Sequence, residues 1–420
     1  MFVQMFHGHQ RTNNRALIQL MSQSAQRFVG FVKLFVDTML AVWCALMLGV
    51  PLVSGVGPVR FFNTQRHGIH VDIAGGPPSP AYTPPTPVQA GRKTVTVFYD
   101  DFSSGRIDPS KWNVAATADG GGGEEFNMYT PEPVNSYVRN GTLFIRPTYT
   151  VDTFGKDFLR NGTLNVTAKW GRCTDQQRNG CYRKGWNSIP PVMSAFLASR
   201  VHIRYGKVEV VAKLPRGDWL WPAIWMLPTE SYYGAWPRSG EIDIMESRGN
   251  SQYHTPEGWS VGNNAEFDTI HYGPAWNDRK SYGCSHTLKG QSFADRFHLY
   301  WFDWTEDYMR MGVDNLTVLS MPTPQGGFWK EGHFEGPDIW AKGGKNAPFD
   351  RPFYLILNVA VGGRFFKESY KNAPYPQPWA DNAPDKKMQF WLNRTLWENT
   401  WRGDNSAMQI KSVKMMQYLD

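Results

Sequence analysis

The chain has 420 residues and a formal net charge of +7, and 15% of its residues are aromatic. Its Lys and Arg residues are dispersed, with no basic block and no basic helix, which argues against nucleic acid as a partner. The length allows one large domain or two or three small ones.

The N-terminal segment, residues 1–57, has a polar, basic start and an apolar run at residues 38–57. This run is just under the length that a transmembrane helix needs. Pro51 and the small residues after it are typical of the end of a signal peptide, with a cleavage site at Val53-Ser-Gly55. The alternative is a membrane anchor that leaves the bulk of the chain outside the cell.

Residues 58–90 contain a stretch at 76–88 in which prolines are dense enough to prevent helix and sheet. We interpret 58–90 as a stiff, extended linker, because the part before the prolines is too short to fold by itself. One domain is therefore predicted over residues 91–420, and we expect a monomer.

Short alternating segments, separated by clusters of Gly, Pro, Asn and Asp, fill the predicted domain, and long periodic helices are scarce. This pattern is typical of β-strands joined by turns. Many short strands over this length predict an all-β fold, a large sandwich or jelly roll. The clearest predicted strands cover residues 94–99, 142–146, 207–213, 297–303, 354–361 and 408–415.

Two features favour an oxidising, extracellular compartment. Cys173 and Cys181 flank a short loop that a disulfide would close, and a metal pair there lacks further Cys or His ligands nearby. Cys44 lies in the apolar run, and Cys284 has no obvious partner in the sequence. Five Asn-x-Ser/Thr sequons are the second feature; they begin at Asn140, Asn161, Asn165, Asn315 and Asn393.

One predicted strand carries three acids within six residues. Side chains alternate between the faces of a regular strand, so Glu241 and Asp243 share a face. Glu246 is at an odd offset from Glu241 and points the other way unless one extra residue is inserted. A β-bulge at Ile244–Met245 would supply that residue and return Glu246 to the acidic face.

Crowded carboxylates raise one another's pKa, so that one group keeps its proton near neutral pH. A retaining glycosidase needs this arrangement, with an ionised nucleophile and a protonated acid about 5–5.5 Å apart. A solvated strand edge explains the spacing equally well. The many tryptophans favour a sugar ligand, because indole offers a flat apolar face and a polar edge, although core filling explains many of them too.

The segments around the acids, residues 218–228 and 236–250, match the core motif of a known family. They resemble glycoside hydrolase family 16, in the laminarinase-like branch that includes the β-1,3-glucan-binding proteins of invertebrates. The resemblance implies a concanavalin-like jelly-roll β-sandwich whose concave cleft binds β-glucan. Further matches lie at residues 120–129, 269–273, 297–300 and 348–363.

The resemblance also implies roles for single residues. Glu241 corresponds to the nucleophile and Glu246 to the general acid and then base, while Asp243 between them tunes both. Relatives that only recognise glucan have typically lost one or both Glu residues, so the three intact acids favour retaining, endo-acting hydrolysis of β-1,3-glucan over binding alone. The residues expected to contact glucan are Trp225, Trp236, His271, Asn358 and, unless it belongs to the core, Trp221.

Three positions depart from the family pattern. Phe196 and Val211 stand where relatives often have Arg, which changes either the polarity of the cleft or the packing of the strands. Lys411 stands at the position where many relatives have an Asp of the C-terminal strand that binds structural Ca²⁺, and an ammonium opposes a cation there. We therefore expect no metal and no cofactor.

Overall fold

The computed structural model describes residues 92–419 with their side chains, and the backbone of residues 59–64 and 68–74. The predicted signal peptide or anchor, the proline-rich stretch and Cys44 lie outside the described residues. Within the described ranges, no helix is both long and apolar enough to cross a bilayer.

Strands dominate the described residues, as the alternating sequence pattern predicts. In chain order they are β1 (Val59–Thr64), β2 (Gly68–Ala74), β3 (Thr94–Asp100), β4 (Trp112–Val114), β5 (Asn127–Tyr129), β6 (Ser136–Arg139), β7 (Thr142–Ile145), β8 (Thr148–Tyr149), β9 (Thr163–Asn165), β10 (Tyr182–Lys184), β11 (Val192–Ser194), β12 (Phe196–Ile203), β13 (Gly206–Lys213), β14 (Leu220–Pro228), β15 (Glu241–Ser247), β16 (Tyr253–His254), β17 (Ala265–Ala275), β18 (Asp278–Thr287), β19 (His298–Trp304), β20 (Tyr308–Val313), β21 (Leu316–Pro322), β22 (Phe353–Val361), β23 (Lys371–Asn372) and β24 (Met408–Tyr418).

The helices of the described residues are short and lie in the connections. The α-helices are α1 (Thr150–Phe154), α2 (Phe158–Asn161), α3 (Val166–Trp170), α4 (Gly327–Glu331) and α5 (Lys386–Leu392). Single 3₁₀ turns occur at Gln177–Asn179, Arg394–Leu396, Glu398–Thr400 and Gly403–Ser406.

Two large sheets stack to form the sandwich. One sheet has the strand order β1-β2-β18-β17-β15-β14-β22-β12-β4, and the other has β21-β20-β19-β13-β24-β7-β6 with β3 also beside β24. Within these two sheets, neighbouring strands are antiparallel except for the parallel pair of β2 and β18. The predicted all-β jelly-roll sandwich is therefore confirmed, and each of the six clearest predicted strands is present.

The hydrophobic core lies between the two sheets because alternate side chains of each strand project into it. Leu355, Leu357 and Val359 of β22 belong to this core, as do Val208 and Val210 of β13 in the other sheet. The residues between them on β22 must therefore project from the opposite side of the nine-stranded sheet. That side carries the candidate site.

Strands β1 and β2 extend the nine-stranded sheet beyond β18, where Ile69 pairs with Tyr282 and Ala74 pairs with Thr287. Both strands lie within residues 58–90, so part of the segment interpreted as a linker pairs with the sheet. The division of the chain into an N-terminal segment, a linker and a domain stays a prediction.

The predicted disulfide between Cys173 and Cys181 is present. It closes the loop between α3 and β10, beside the small sheet of β9 and β10. The asparagines of all five sequons are exposed, and Cys284 on β18 is buried.

Candidate active site

A bulge in β15 places the three acids on one face of the sheet. On one side, Asp243 pairs with Trp225 while Met245 pairs with Ile224, so Ile244 is one residue too many for β14. On the other side, the register with β17 also shifts between Asp243 and Glu246. The bulge predicted at Ile244–Met245 is confirmed.

The bulge divides the side chains of β15 between core and surface. Ile242, Ile244 and Met245 are fully buried in the core, so Glu241, Asp243 and Glu246 project together from the other side. We call this side of the nine-stranded sheet the acid face.

Cross-strand pairing aligns further residues with the acids, because directly opposite residues project from the same face. Glu246 is opposite Ala223, Ala223 is opposite Asn358, and Asn358 is opposite Phe196. These residues form one row across four strands, which brings the predicted Asn358 onto the acid face. Trp225 and Thr269 form the next row on either side of Asp243.

His271 lies between two of the acids. It is opposite Glu241 on β17, and its Nε2 atom is 3.0 Å from Asp243 Oδ2 and 3.9 Å from Glu241 Oε1. On the other side of the ring, Ser281 Oγ is 2.6 Å from Nδ1. Ser281 thus orients the imidazole toward the carboxyls, and neither a motif nor a periodic pattern predicts this contact.

Trp221 belongs to the acid face and not to the core. Its indole N–H donates to Glu246 Oε1 over 2.8 Å, and its ring stacks on Phe365 with centroids 4.6 Å apart. Gly123 approaches the ring so closely that a Cβ atom there would lie 2.5 Å from it. Close packing against Trp221 therefore explains why the Gly-rich stretch at 120–123 has a glycine at position 123.

Trp225 and Asn358 are held by a chain of hydrogen bonds that begins at a buried acid. Tyr129 donates its hydroxyl to Glu125 over 2.5 Å and accepts from the Asn358 amide over 3.0 Å. Asn358 Oδ1 in turn accepts from the Trp225 indole over 2.7 Å. Burial raises the pKa of Glu125 to about 7. Sequence reasoning missed Glu125 and Tyr129, although both lie in the matched segment 120–129.

Trp236 lies at the Glu241 end of the acid face. Its ring is 6.3 Å from that of His271 and 5.0 Å from that of Trp276. The four tryptophan and histidine residues predicted as sugar contacts are thus all on the acid face with the three carboxyls. Whether they contact a sugar stays a prediction.

The three carboxyls of the acid face have pKa values well above their ordinary values. Burial is the main cause, and it raises the pKa of Glu241 and Asp243 to about 8 and that of Glu246 to about 7. The charge of Asp243 raises the pKa of both glutamates further, whereas His271 lowers both. Crowding, the cause expected from the sequence, is therefore secondary to desolvation.

The two indole N–H groups act on different glutamates. The hydrogen bond from Trp221 lowers the pKa of Glu246. The buried N–H of Trp236 lowers that of Glu241, although the two groups are not aligned as a hydrogen bond. Because the three acids interact, their titrations are coupled. The order of their pKa values therefore does not by itself show which glutamate is the nucleophile and which is the general acid.

One group of described residues has the geometry to share a metal ion. Donor atoms of Glu241, Asp243 and His271 all lie within 4.8 Å of one another, and two carboxylates with an imidazole suit a transition metal. Such an ion would occupy the same atoms to which the family resemblance gives catalytic roles. The expected absence of a metal remains a prediction.

The departures from the family pattern lie in different places. Phe196 is half-buried on the acid face, where its ring meets those of Trp225 and Tyr129 at 5.9 and 5.4 Å. Val211 is on β13 in the other sheet, so it affects strand packing there. Lys411 holds its ammonium 4.6 Å from the ring of Phe297, and the doubt about Ca²⁺ stays a prediction.

Comparison with known proteins identifies the family. A profile of the glycosyl hydrolases family 16 matches residues 163–329. A β-1,3-glucan-binding protein of Penaeus monodon is 42% identical over 340 residues, which cover 76% of this chain and 89% of that protein. The chain belongs to glycosyl hydrolase family 16. This confirms the resemblance inferred from the motifs.

Two further relatives have names that refer to glucan hydrolysis. Glucan endo-1,3-beta-glucosidase A1 of Niallia circulans is 34% identical over 292 residues, which are 67% of this chain and 36% of that protein. The endo-beta-1,3-glucanase of Pyrococcus furiosus has a solved structure with a TM-score of 0.51 and 22% identity, covering 79% of this chain and 97% of that chain. The latter shows a shared fold.

The pKa shifts predict how stability depends on pH. Glu241, Asp243 and Glu246 start from ordinary values of 4.5, 3.8 and 4.5. Between those values and about 7–8, these three carboxyls bind more protons in the folded protein than in the unfolded chain, so their contribution to stability is greatest at low pH and falls as pH rises. Each unit of raised pKa corresponds to about 1.4 kcal/mol.

We therefore expect the variant Glu241→Gln/Asp243→Asn/Glu246→Gln to lose much of the fall in unfolding free energy between about pH 5 and pH 8. Urea unfolding at several pH values measures it. The unfolding free energy of this variant should still fall slightly with pH, because burial also raises the pKa of Glu125 and Asp268. An unchanged slope in the triple variant would show that these carboxyls are ionised in the folded protein.

The bulge predicts the effect of a one-residue deletion. Removing Ile244 leaves Glu241, Asp243 and the last acid at alternating positions of a regular strand, so all three stay on the acid face. The cost should then equal that of Ile244→Ala, about 2–5 kcal/mol for a lost core side chain. Urea unfolding compares the two variants. A much larger cost for the deletion would mean that the strand does not regularise and an acid enters the core.

Proposed function

We propose that the chain is a retaining endo-β-1,3-glucanase that uses Glu241 as nucleophile and Glu246 as general acid and base. The main support is the bulge of β15, which brings three intact acids onto one face beside tryptophans and a histidine. The relatives named above support β-1,3-glucan as the ligand. The substrate would lie along the acid face across β12, β22, β14, β15 and β17.

In the first step, the Glu241 carboxylate attacks the anomeric carbon while Glu246 donates its proton to the departing glycosidic oxygen. A covalent glycosyl-enzyme results, and the downstream part of the glucan leaves with that proton. Glu246 must be protonated for this step. Its burial and the nearby charge of Asp243 both favour the protonated form.

In the second step, the ionised Glu246 takes a proton from water, whose oxygen attacks the same carbon and releases Glu241. The hydrogen bond from Trp221 stabilises the ionised form of Glu246 that this step needs. Asp243 and His271 lie in the middle of the site, with His271 Nε2 3.0 Å from Asp243 Oδ2. Two displacements at one carbon retain its configuration.

The sugar contacts are part of the same proposal. Trp225 and Trp236 offer indole faces on either side of the acids, and Asn358 and His271 offer polar atoms. Tyr129 and Glu125 act through Asn358 and Trp225, because they fix those side chains by hydrogen bonds. We assign them a positioning role.

An extracellular place of action completes the proposal. The disulfide between Cys173 and Cys181 requires an oxidising compartment to persist. The exposure of all five sequon asparagines leaves them open to glycosylation. Secretion and membrane anchoring by residues 38–57 remain the two alternatives for reaching it, and the chain is proposed to act there as a monomer.

Substitution of the two glutamates tests the catalytic proposal. Glu241→Ala should abolish release of reducing sugar from laminarin, and Glu246→Gln should reduce it by about 10²–10⁴-fold. Glu209→Gln is the matched control, because Glu209 is a half-buried glutamate on β13 of the other sheet. Activity of the Glu241→Ala variant equal to that of the parent would overturn the assignment.

The second candidate is a glucan-recognition protein that binds without cutting. It is favoured by the name of the Penaeus monodon relative, which is 42% identical. Binding of the parent chain to insoluble β-1,3-glucan, together with no product over days at several pH values, would establish it. Measurable hydrolysis that the Glu241→Ala change removes would exclude it.

The pKa values also predict the pH profile of the proposed hydrolysis. Catalysis needs one ionised and one protonated carboxyl, and the acids of the pair have pKa values of about 7 and about 8. We expect a narrow bell-shaped kcat/KM profile between neutral and mildly alkaline pH. Asp243→Asn should shift both limbs to lower pH, because the charge of Asp243 raises both pKa values. If both limbs of the Asp243→Asn profile stay at the pH of the parent, Asp243 does not raise the pKa of the two glutamates by its charge.

A further inference from the structure

An exposed tryptophan continues the aromatic surface of the acid face beyond Trp236. Trp276 lies in the turn between β17 and β18, where Ala275 pairs with Asp278. It is 47% exposed, and its ring centroid is 5.0 Å from that of Trp236. Since Trp236 lies beside Glu241 and His271, the two indoles lead from the acids to the turn at the end of β17 and β18.

Two guanidinium groups converge on this tryptophan. The Cζ atom of Arg279 is 4.4 Å from the ring centroid of Trp276 and 5.4 Å from that of Trp236. Arg364, which follows β22, has its Cζ atom 5.6 Å from the Trp276 ring. A sugar ring could therefore meet an aromatic face and two cations at one place.

The charge at this end of the acid face is positive. Glu124 pairs with Arg364 and also with Lys386, so one carboxylate is shared by two cations. Arg279 adds a third cation. Burial and then the proximity of Arg364 lower the pKa of Arg279, while the charge of Glu241 raises it. Like charges placed together favour an anion between them, and guanidinium binds sulfate or carboxylate through paired hydrogen bonds.

We propose that Trp276, Arg279 and Arg364 form an outer subsite that binds an anionic sugar unit, sulfated or carboxylated, of a β-glucan chain. The proposal rests on the proposed binding of glucan along the acid face and adds a substrate class to it. The sugar ring stacks on the indole, and its anionic substituent meets the guanidinium groups. Neutral units bind the same indole without the charge contribution.

A second exposed tryptophan provides a matched control. Trp186 is 40% exposed and has the Cζ atom of Arg160 5.0 Å from its ring, so it has a similar exposure and the same kind of cation contact. It follows β10, beside the helix α2 that carries Arg160. An effect of exposed tryptophan alone would appear in both Trp276→Ala and Trp186→Ala.

The test uses the full chain carrying Glu241→Gln, which prevents turnover during titration calorimetry. The probes are neutral laminari-oligosaccharides and C6-carboxylated β-1,3-glucan oligosaccharides of the same length, with sulfated laminarin as a third probe. We expect the carboxylated chain to bind about fivefold to tenfold more tightly than the neutral one, with the difference shrinking in high salt. Trp276→Ala should weaken both by about fivefold to tenfold, and Trp186→Ala should change neither.

Substitution of the arginine separates charge from positioning. Arg279→Gln should remove most of the preference for the carboxylated chain and leave neutral binding within about twofold. Arg279→Lys should restore part of that preference, because it keeps the charge but not the paired hydrogen bonds. If Arg279→Lys behaves as Arg279→Gln does, the side chain acts by holding the turn and the anion subsite is wrong.

Other outcomes distinguish this inference from the proposed function. Equal binding of neutral and carboxylated chains by the parent, with hydrolysis of laminarin intact, overturns the anionic subsite and leaves the glucanase proposal standing. Unchanged affinities in Trp276→Ala overturn the role of Trp276. No binding of any β-1,3-glucan probe, together with no product from laminarin, overturns both.

Discussion

The bulge in β15 is the constraint on which the site depends. If β15 ran as a regular strand over its present sequence, with no bulge, alternation would turn Glu246 into the core, where an unpaired carboxylate costs several kcal/mol. With the bulge, Ile242, Ile244 and Met245 all enter the core and the three acids stay together. Both neighbouring strands accommodate the shift, β14 at Ile224 and β17 at Asp268, so the irregularity is shared by the middle of the sheet.

Placing three acids on a buried face has a cost in stability that the surroundings only partly offset. Burial raises the pKa of each group, and His271 and Trp221 supply the contacts that favour ionised forms. Those contacts depend on distant segments. Trp221 is stacked on Phe365, and Gly363 and Gly123 approach so closely that a Cβ on Gly363 would lie 2.5 Å from the Gly123 carbonyl. Two loops therefore close against each other to hold one indole.

Features set by local alternation were predictable from the sequence. The strands around 94–99, 207–213 and 354–361 follow from a period of two, and so does the bulge, since the offset of Glu246 is wrong for a regular strand. Short helices in the connections also agree with the scarcity of helical periodicity. Cys173 and Cys181 could be paired because they flank one short loop.

Features set by contacts between distant segments were not predictable from the residues alone. Tyr129 meets Asn358 across 229 positions of sequence and Trp225 meets Asn358 across 133, and no periodicity reports such contacts. Trp221 could not be separated from a core residue, because only its bond to Glu246 decides the matter. The pairing of β2 with β18 was missed for the same reason, since the strand precedes the prolines that suggested a linker.

The position of Phe196, a departure from the family pattern, shows which part of the acid face it changes. Phe196 replaces an expected cation in the row of Glu246 and Asn358, and its ring packs against Trp225 and Tyr129. The floor of the acid face is therefore apolar at one end, where a guanidinium was expected. At the other end, Arg279 and Arg364 gather around Trp276. Positive charge is thus found at the end marked by Trp276 and not beside Asn358, so it can meet a substituent of the sugar at the rim of the acid face.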